Sequence, residues 1–187
     1  MRMLFVDAAE QILRDEGYIG ISARQVAARA GQKTQLLYYY FRTMDDLILA
    51  VVRRINERRL QRFEEALASA DPLRALWDLN SNPAGAALSA ELTSIAIHRE
   101  EIRAEIVRSA QQFRAMQVKA TSRLLAHRED FPAAGIVMIA AALGRMIVSE
   151  SALGLTDGHH EALAIVERAL LDFGARHRDP HTSPPAA

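Results

Sequence analysis

A short segment near the N-terminus concentrates side chains that donate or accept hydrogen bonds. Lys33, Thr34 and Gln35 are followed closely by Tyr38 and Tyr39. An ammonium group binds phosphate or guanine, a carboxamide pairs with adenine through two hydrogen bonds, and hydroxyl groups donate to phosphate oxygens. The segment therefore carries the side-chain chemistry that contact with a nucleic acid requires.

Two short helices joined by a glycine turn are predicted to position this segment. Ser22 and Gln25 form a capping box, which indicates the start of a helix that runs to Ala30. Gly31 is suited to the left-handed conformation that ends such a helix. A second helix then covers residues 33–41. This is the helix-turn-helix arrangement, in which the second helix enters the major groove of DNA.

Apolar spacing decides which side of the second helix faces outward. Leu37 and Phe41 are one helical turn apart, and we expect both to face the core. A helix cannot bury consecutive aromatic residues on one side, so we expect part of Tyr40 inside and Tyr38 and Tyr39 outside. An earlier helix, predicted to end at Gly17, contributes an apolar stripe to the same core. Its residues are Phe5, Ala8, Ala9, Ile12 and Leu13.

The segment between Gly17 and Leu47 resembles the DNA-binding domain of the TetR-type transcriptional repressors. The matching runs are Gly17-Tyr18, SARQVAARAG from Ser22, LYYYF from Leu37 and DDL from Asp45. Their order and spacing are those of the family. The resemblance implies a homodimer, a palindromic operator in double-stranded DNA, and a small, largely apolar effector whose binding releases the DNA.

Three positions depart from the residues that this family often has. Lys33 stands in place of Ser, Tyr40 in place of His, and Met44 in place of Lys. The motif and the outward-facing side chains together define the candidate DNA-binding residues, which are Ser22, Arg24, Lys33, Thr34, Gln35, Tyr38, Tyr39 and Thr43. Among these we assign base readout to Gln35 and mainly phosphate contact to Thr34 and Tyr38.

The predicted fold class is all-α, with an N-terminal three-helix helix-turn-helix domain followed by a helical-bundle ligand-binding and dimerisation domain. We predict the first domain over residues 1–42 and the second over 43–178, of which 43–70 form a linking helix. Residues 179–187 hold too little apolar surface to order, and we expect a disordered tail. Capping residues predict further helix starts at Thr43, Asp71-Pro72 and Asn82-Pro83.

The second domain offers two sets of candidate residues. Bulky or flexible apolar residues and one histidine are candidates for an effector pocket, although the same residues are typical of a bundle core: Trp77, Leu92, Ile95, His98, Phe113, Met116, Met138 and Met146. The resemblance assigns the last two helices, about 132–154 and 159–177, to a dimer interface. The candidates there are Ile136, Ala140, Leu143, Ile147, Leu163, Val166 and Leu170.

The charge is balanced overall and uneven along the chain. Lys and Arg number 23, as do Asp and Glu, which excludes a polycationic binder. Residues 1–62 carry 11 basic against 7 acidic side chains, the direction expected for phosphate binding. We interpret five arginines of the linking helix as a solvated face, and Arg24 and Lys33 as better DNA candidates. The five are Arg53, Arg54, Arg58, Arg59 and Arg62.

Several chemistries are disfavoured. The chain has no cysteine, which excludes disulfides and thiolate ligands. Asp157, His159, His160 and Glu161 are dense enough to suggest a metal, but they stand where a helix start is predicted and form no H-E-x-x-H motif. No G-x-S-x-G or phosphate loop occurs. We predict no enzyme activity, no cofactor and no metal. The alternatives are a helical ligand-binding or adaptor protein without sequence-specific DNA binding, and, more distantly, a helical-bundle enzyme.

Residues 132–155 form the most apolar window. Arg145 and Glu150 lie inside it, and either charge is costly in hydrocarbon. We therefore predict a buried helix of a soluble, cytoplasmic protein without a membrane partner.

Overall fold

The computed structural model describes residues 1–126 and 131–178, except the side chains of Ala84 and of residues 175–178. Within these residues the chain forms nine α-helices and no strand, so the all-α prediction is confirmed. The predicted tail, 179–187, lies outside the described residues. The helices are α1 (Arg2–Asp15), α2 (Ala23–Arg29), α3 (Thr34–Tyr40), α4 (Met44–Leu67), α5 (Pro72–Asn80), α6 (Pro83–Ile97), α7 (Glu100–Leu124), α8 (Ala133–Ala152) and α9 (His159–Arg178).

The helix starts lie where the capping residues predict them. Thr43 Oγ1 accepts from the backbone N–H of Asp46 at 3.1 Å, and Asp46 Oδ2 accepts from the backbone N–H of Thr43 at 2.9 Å. Asp71 Oδ1 accepts from the backbone N–H of Arg74 at 3.1 Å, with Pro72 in the first helical position. These bonds satisfy N–H groups that have no partner inside the helix.

The chain divides into two compact units. The first joins Met1–Gln61 to Ala84–Gln112, and the second joins Arg62–Pro83 to the described residues from Phe113 onward. Both α4 and α7 therefore contribute residues to each unit. The predicted domain boundary after residue 42 stays a prediction.

The core of the first unit combines the helix-turn-helix segment with later helices. The predicted stripe of α1 is buried, as are Val26 of α2 and Leu37 of α3. Leu92 and Ile95 of α6 and Ile102 of α7 belong to the same apolar cluster. Helices distant in sequence thus complete the support of the N-terminal segment.

Arginines of α4 form ion pairs across the first unit. Arg58 pairs with Glu10 of α1, a residue that is only 4% exposed, and Arg54 Nη2 lies 2.7 Å from Asp7 Oδ1. Arg53 Nε lies 3.1 Å from the buried carboxylate of Glu105 on α7. The prediction of a solvated face is therefore wrong for Arg54 and Arg58, which are half-buried because α4 lies beside carboxylates of α1, whereas Arg53 is exposed as predicted and pairs with Glu105 from the surface.

In the second unit, α5 packs against α8 and α9. Gly144 of α8 allows a close approach, since a Cβ there would lie 2.6 Å from the backbone oxygen of Asn80. Phe63 and Phe113 meet edge to face with ring centroids 5.3 Å apart. Arg74 of α5 pairs with Glu167 of α9, and the hydrogen bond from its guanidinium lowers the pKa of the Glu167 carboxyl.

Helix α8 is long and apolar enough to cross a membrane by length and composition alone, and 22% of its most apolar window is buried. Its buried residues are Val137, Ala141 and Gly144. The prediction of a buried helix is therefore wrong for a single chain, because the other helices cover only one stripe of the surface of α8. The charged residues Arg145 and Glu150 remain on this helix.

Candidate nucleic-acid interface

The first helix of the interface begins at a closed cap. Ser22 Oγ accepts from the backbone N–H of Gln25 at 3.3 Å and donates to Gln25 Oε1 at 2.7 Å. The predicted N-cap at Ser22 is confirmed, and the Gln25 carboxamide reaches back to the Ser22 hydroxyl rather than to its backbone N–H. At the other end of α2, Arg29 pairs with Asp15 and Glu16, which close α1. Helix α2 is thus held at both ends.

The turn after α2 sets the direction of α3. Gly31 has a φ of +63°, and a Cβ there would meet nothing within 4 Å. Its backbone conformation, not crowding, is the reason for a glycine here. The N–H of Gly31 donates to Ala28 O at 3.0 Å and that of Gln32 to Ala27 O at 2.9 Å. These bonds cap the C-terminal end of α2 and fix the direction in which the chain continues toward α3.

Helix α3 presents the predicted polar face. Leu37 is 0% exposed and Phe41 2%, whereas Tyr38 is 49% and Tyr39 80% exposed. Tyr40 is half-buried, with its ring centroid 6.2 Å from that of Phe5. The expectation for all four aromatic residues is confirmed. Burial on one side of a short helix forces the other side into solvent.

The remaining candidates of α3 lie on its outer side and at its start. Lys33 is exposed, caps α3 with an extended backbone and makes no side-chain capping bond. Thr34 is half-buried and Gln35 is exposed. An open depression at the start of α3 is lined by Gly31, Gln32, Lys33, Gln35, Leu36 and Tyr39. Ammonium, carboxamide and phenol groups therefore surround one surface patch.

Free cations around this patch are few. Arg24 on α2 and Lys33 are exposed. The structure adds two arginines that the sequence analysis missed, Arg42 directly after Phe41 and Arg2 at the start of α1. The guanidinium of Arg2 lies 4.8 Å from the centroid of the Phe41 ring. The position of Arg2 beside Phe41 emerges only when α1 packs against α3.

The candidate pocket residues lie in both compact units. Leu92, Ile95 and His98 belong to the first, and Leu92 and Ile95 are buried in its core while His98 is exposed. The second unit holds the others: Trp77 and Phe113 are buried, Met116 is half-buried, and Met138 and Met146 are exposed. Their role in a pocket stays a prediction.

Two polar residues in the second unit were missed by the sequence analysis. Gln117 and Thr121 of α7 are buried, and Gln117 Nε2 lies 3.5 Å from Asn80 Oδ1. No sequence signal marked them, because polar residues one turn apart on a long helix usually face water.

The candidate dimer residues stand on helices with much uncovered apolar surface. Ile136, Ala140, Leu143 and Ile147 of α8 are half-buried, as are Val166 and Leu170 of α9, and Leu163 is exposed. Neighbours on the same helices are more open still, with Ile139 69% and Ile165 71% exposed. The dimer interface stays a prediction.

The polar cluster before α9 is a helix start. His159 Nε2 lies 2.8 Å from Glu150 Oε2. Within residues 1–126 and 131–178, no group of three or more His, Asp or Glu side chains is placed to hold a metal ion.

An all-helical chain with a helix-turn-helix unit ahead of further helices is built like a DNA-binding regulator. The family model of the bacterial regulatory proteins of the tetR family matches residues 5–51. The resemblance to the TetR family stated from the sequence is therefore confirmed over residues 5–51. No curated protein matches the chain.

Solved structures share the fold over nearly the whole chain. A TetR transcription regulator from Haloarcula marismortui has a TM-score of 0.72 at 19% identity, covering 92% of this chain and 95% of its own. GusR from Salmonella enterica has a TM-score of 0.69 at 20% identity, covering 92% and 94%. A transcriptional regulator from Saccharomonospora viridis, solved in complex with choline, has a TM-score of 0.72 at 16% identity, covering 82% and 85%. The chain therefore has the fold of the TetR-type transcriptional regulators.

Proposed function

We propose that this protein is a ligand-responsive transcriptional repressor that binds a palindromic operator as a homodimer and leaves it when a small, largely apolar effector binds. It acts in the cytoplasm and catalyses no reaction. The observation that carries the proposal is the outward face of α3, where exposed Lys33, Gln35, Tyr38 and Tyr39 oppose the buried Leu37. A helix anchored in this way fits the major groove with its first turn against the bases.

The role of each side chain follows from its chemistry. Gln35 carries the carboxamide that pairs with the N6 and N7 atoms of adenine. Lys33 binds guanine or phosphate, and Tyr38 donates to a phosphate oxygen. Gln35 therefore determines sequence preference, while the tyrosine fixes the position of the helix on the duplex.

Dimerisation through α8 and α9 is supported by their uncovered apolar side chains. The most exposed are Ile139, Met146, Ile165 and Leu171. Large apolar patches are unusual on a monomer and typical of an interface. A two-fold dimer presents two copies of α3, which matches a palindromic operator with half-sites about 34–36 Å apart or a multiple of that.

An effector site in the second unit is supported by the mixed chemistry of its buried side chains. Trp77 and Phe113 are buried there, together with the polar Gln117. A few polar groups among aromatic and aliphatic side chains are typical of small-molecule sites. The choline complex of the relative from Saccharomonospora viridis shows that protein with a small organic molecule bound.

Selection of bound duplexes from random DNA tests the proposal. We expect the ligand-free protein to enrich a palindrome whose half-sites change when Gln35 is replaced. If the intact protein enriches no sequence, the repressor function is wrong and the adaptor alternative is favoured.

For the effector, the emission of Trp77, the only tryptophan, reports binding in a panel of lipophilic and aromatic compounds. A bound compound should stabilise the fold by about 2.7 kcal/mol at a hundredfold excess over its dissociation constant.

A further inference from the structure

Two of the candidate DNA contacts already donate their hydroxyl protons inside the protein. Thr43 Oγ1 donates to Asp46 Oδ2 at 3.0 Å, and Ser22 Oγ donates to Gln25 Oε1 at 2.7 Å. A phosphate oxygen only accepts hydrogen bonds. Each hydroxyl therefore loses its bond to the Gln25 or Asp46 side chain if it donates to a phosphate, although it can still accept from the backbone N–H that it caps.

The first turn of α4, which follows α3 directly, offers phosphate no cation. It carries Met44, Asp45 and Asp46. Asp46 is bonded to Thr43, and Asp45 is paired with Arg99. The ion pair with Arg99 reduces the repulsion between Asp45 and the phosphates of DNA. It supplies no attraction to them. The positive charge needed at this end of the recognition helix must come from another residue.

Arg42 lies in the short connection between the end of α3 and the start of α4. It is exposed between Phe41 and Thr43, and no hydrogen bond or ion pair to another residue in the described part of the chain engages its guanidinium. The Arg2 guanidinium lies against the ring of Phe41, so a second cation is held on the residue next to Arg42. In the homeodomain, a three-helix variant of the helix-turn-helix, the C-terminal end of the recognition helix contacts the DNA backbone.

We propose that Arg42, with Arg2 held against the neighbouring Phe41, forms a phosphate-binding site of this domain. Its ligand is the backbone phosphate of the bound duplex, which it holds through the paired N–H groups of a guanidinium without reading the base sequence. The site rests on the proposed DNA-binding function and adds a contact to it. It anchors the C-terminal end of α3, while Lys33 and Gln35 act at the N-terminal end.

The experiment measures how salt weakens binding of the full chain to its selected duplex. Each phosphate contact contributes about 0.9 to the slope of the logarithm of the association constant against the logarithm of salt concentration. We expect Arg42→Gln to lower this slope by about 1 per subunit, and Arg2→Gln to lower it in the same direction. Arg42→Lys keeps the charge and should keep most of the slope. The selected sequence should not change in any of these variants.

A matched control separates this site from general loss of charge. Arg123→Gln removes an exposed arginine from the second unit and should leave the slope as in the wild type. The melting temperature of Arg42→Gln should equal that of the wild type, because the Arg42 side chain has no hydrogen-bond or ion-pair partner among the described residues. If the wild type selects a sequence but Arg42→Gln has the wild-type slope, the phosphate site is wrong and the proposed function stands. If the wild type binds no duplex, both are wrong.

Discussion

Arg99, in the corner between α6 and α7, forms an ion pair with Asp45 in the first turn of α4 and donates to the hydroxyl of Tyr18. Its guanidinium also lies 5.4 Å from the centroid of the Tyr18 ring. Close by, Glu91 Oε2 of α6 accepts from the backbone N–H of Tyr18 at 2.9 Å. Residues of α6 and of the corner after it therefore hold both the start of α4 and the bend between α1 and α2.

Removing this ion pair should lower stability only slightly. Both side chains are partly exposed, so we expect Arg99→Gln to cost about 1 kcal/mol or less of unfolding free energy. Urea unfolding of Arg99→Gln, Asp45→Asn and the double variant measures the coupling between the two residues. Arg103→Gln, an exposed arginine one turn further along α7, is the control and should be neutral. Additive losses in the double variant would contradict the pairing.

Gln35 and Tyr38 should differ in how their loss affects DNA binding. We expect Gln35→Ala to cost about 1–3 kcal/mol per half-site and to relax preference at one base position, since a base loses its partner. Tyr38→Phe removes only a phosphate donor and should weaken binding to all sequences alike. Binding to a library of single-base operator variants measures both. A Gln35→Ala protein with the wild-type ranking of those variants would refute base readout by Gln35.

Charges placed on α8 and α9 should dissociate the dimer. We expect Leu143→Glu with Val166→Glu to give a monomer or an insoluble chain, because carboxylates would be buried unpaired in an apolar interface. Equilibrium sedimentation at micromolar concentration measures the mass. Ser149→Glu, an exposed site on α8, is the single-charge control. A monomeric wild type would show that the uncovered apolar face does not join two copies.

Gly144→Ala should destabilise the protein although alanine is the better helix former. The new Cβ would lie 2.6 Å from the oxygen and 2.9 Å from the carbon of the Asn80 carbonyl group. Overpacking against backbone typically costs about 1–3 kcal/mol. Gly135→Ala on the same helix meets nothing within 4 Å and should be neutral or stabilising. Thermal unfolding compares the two, and equal effects would mean that α5 and α8 are not in close contact at Gly144.

Much of the fold was predictable because its signals are local. Caps at Ser22, Thr43 and Asp71 mark helix starts, and each depends on residues three positions apart. The left-handed Gly31 and the buried Leu37 follow from neighbouring residues in the same way. The outward face of α3 was therefore predictable residue by residue.

The pairing of charged side chains was not predictable. The arginines of α4 looked like a solvated face, because nothing in their local sequence indicates Glu10 on α1 or Glu105 on α7. Nor does sequence spacing place Arg2 on the ring of Phe41. Such contacts join residues tens of positions apart and exist only when the helices are packed.

The sequence by itself determined the helices, their caps and the chemistry of the exposed face of α3, since backbone hydrogen bonding and apolar periodicity act over a few residues. Only the tertiary structure decided which polar groups are free to bind a partner. Arg54 and Arg58 of α4 pair with Asp7 and Glu10 of α1, whereas Arg42 has no ion pair or hydrogen bond to its side chain within the described residues. Tertiary packing also left the apolar side chains of α8 uncovered, because one chain supplies neighbours for only a single stripe of that helix.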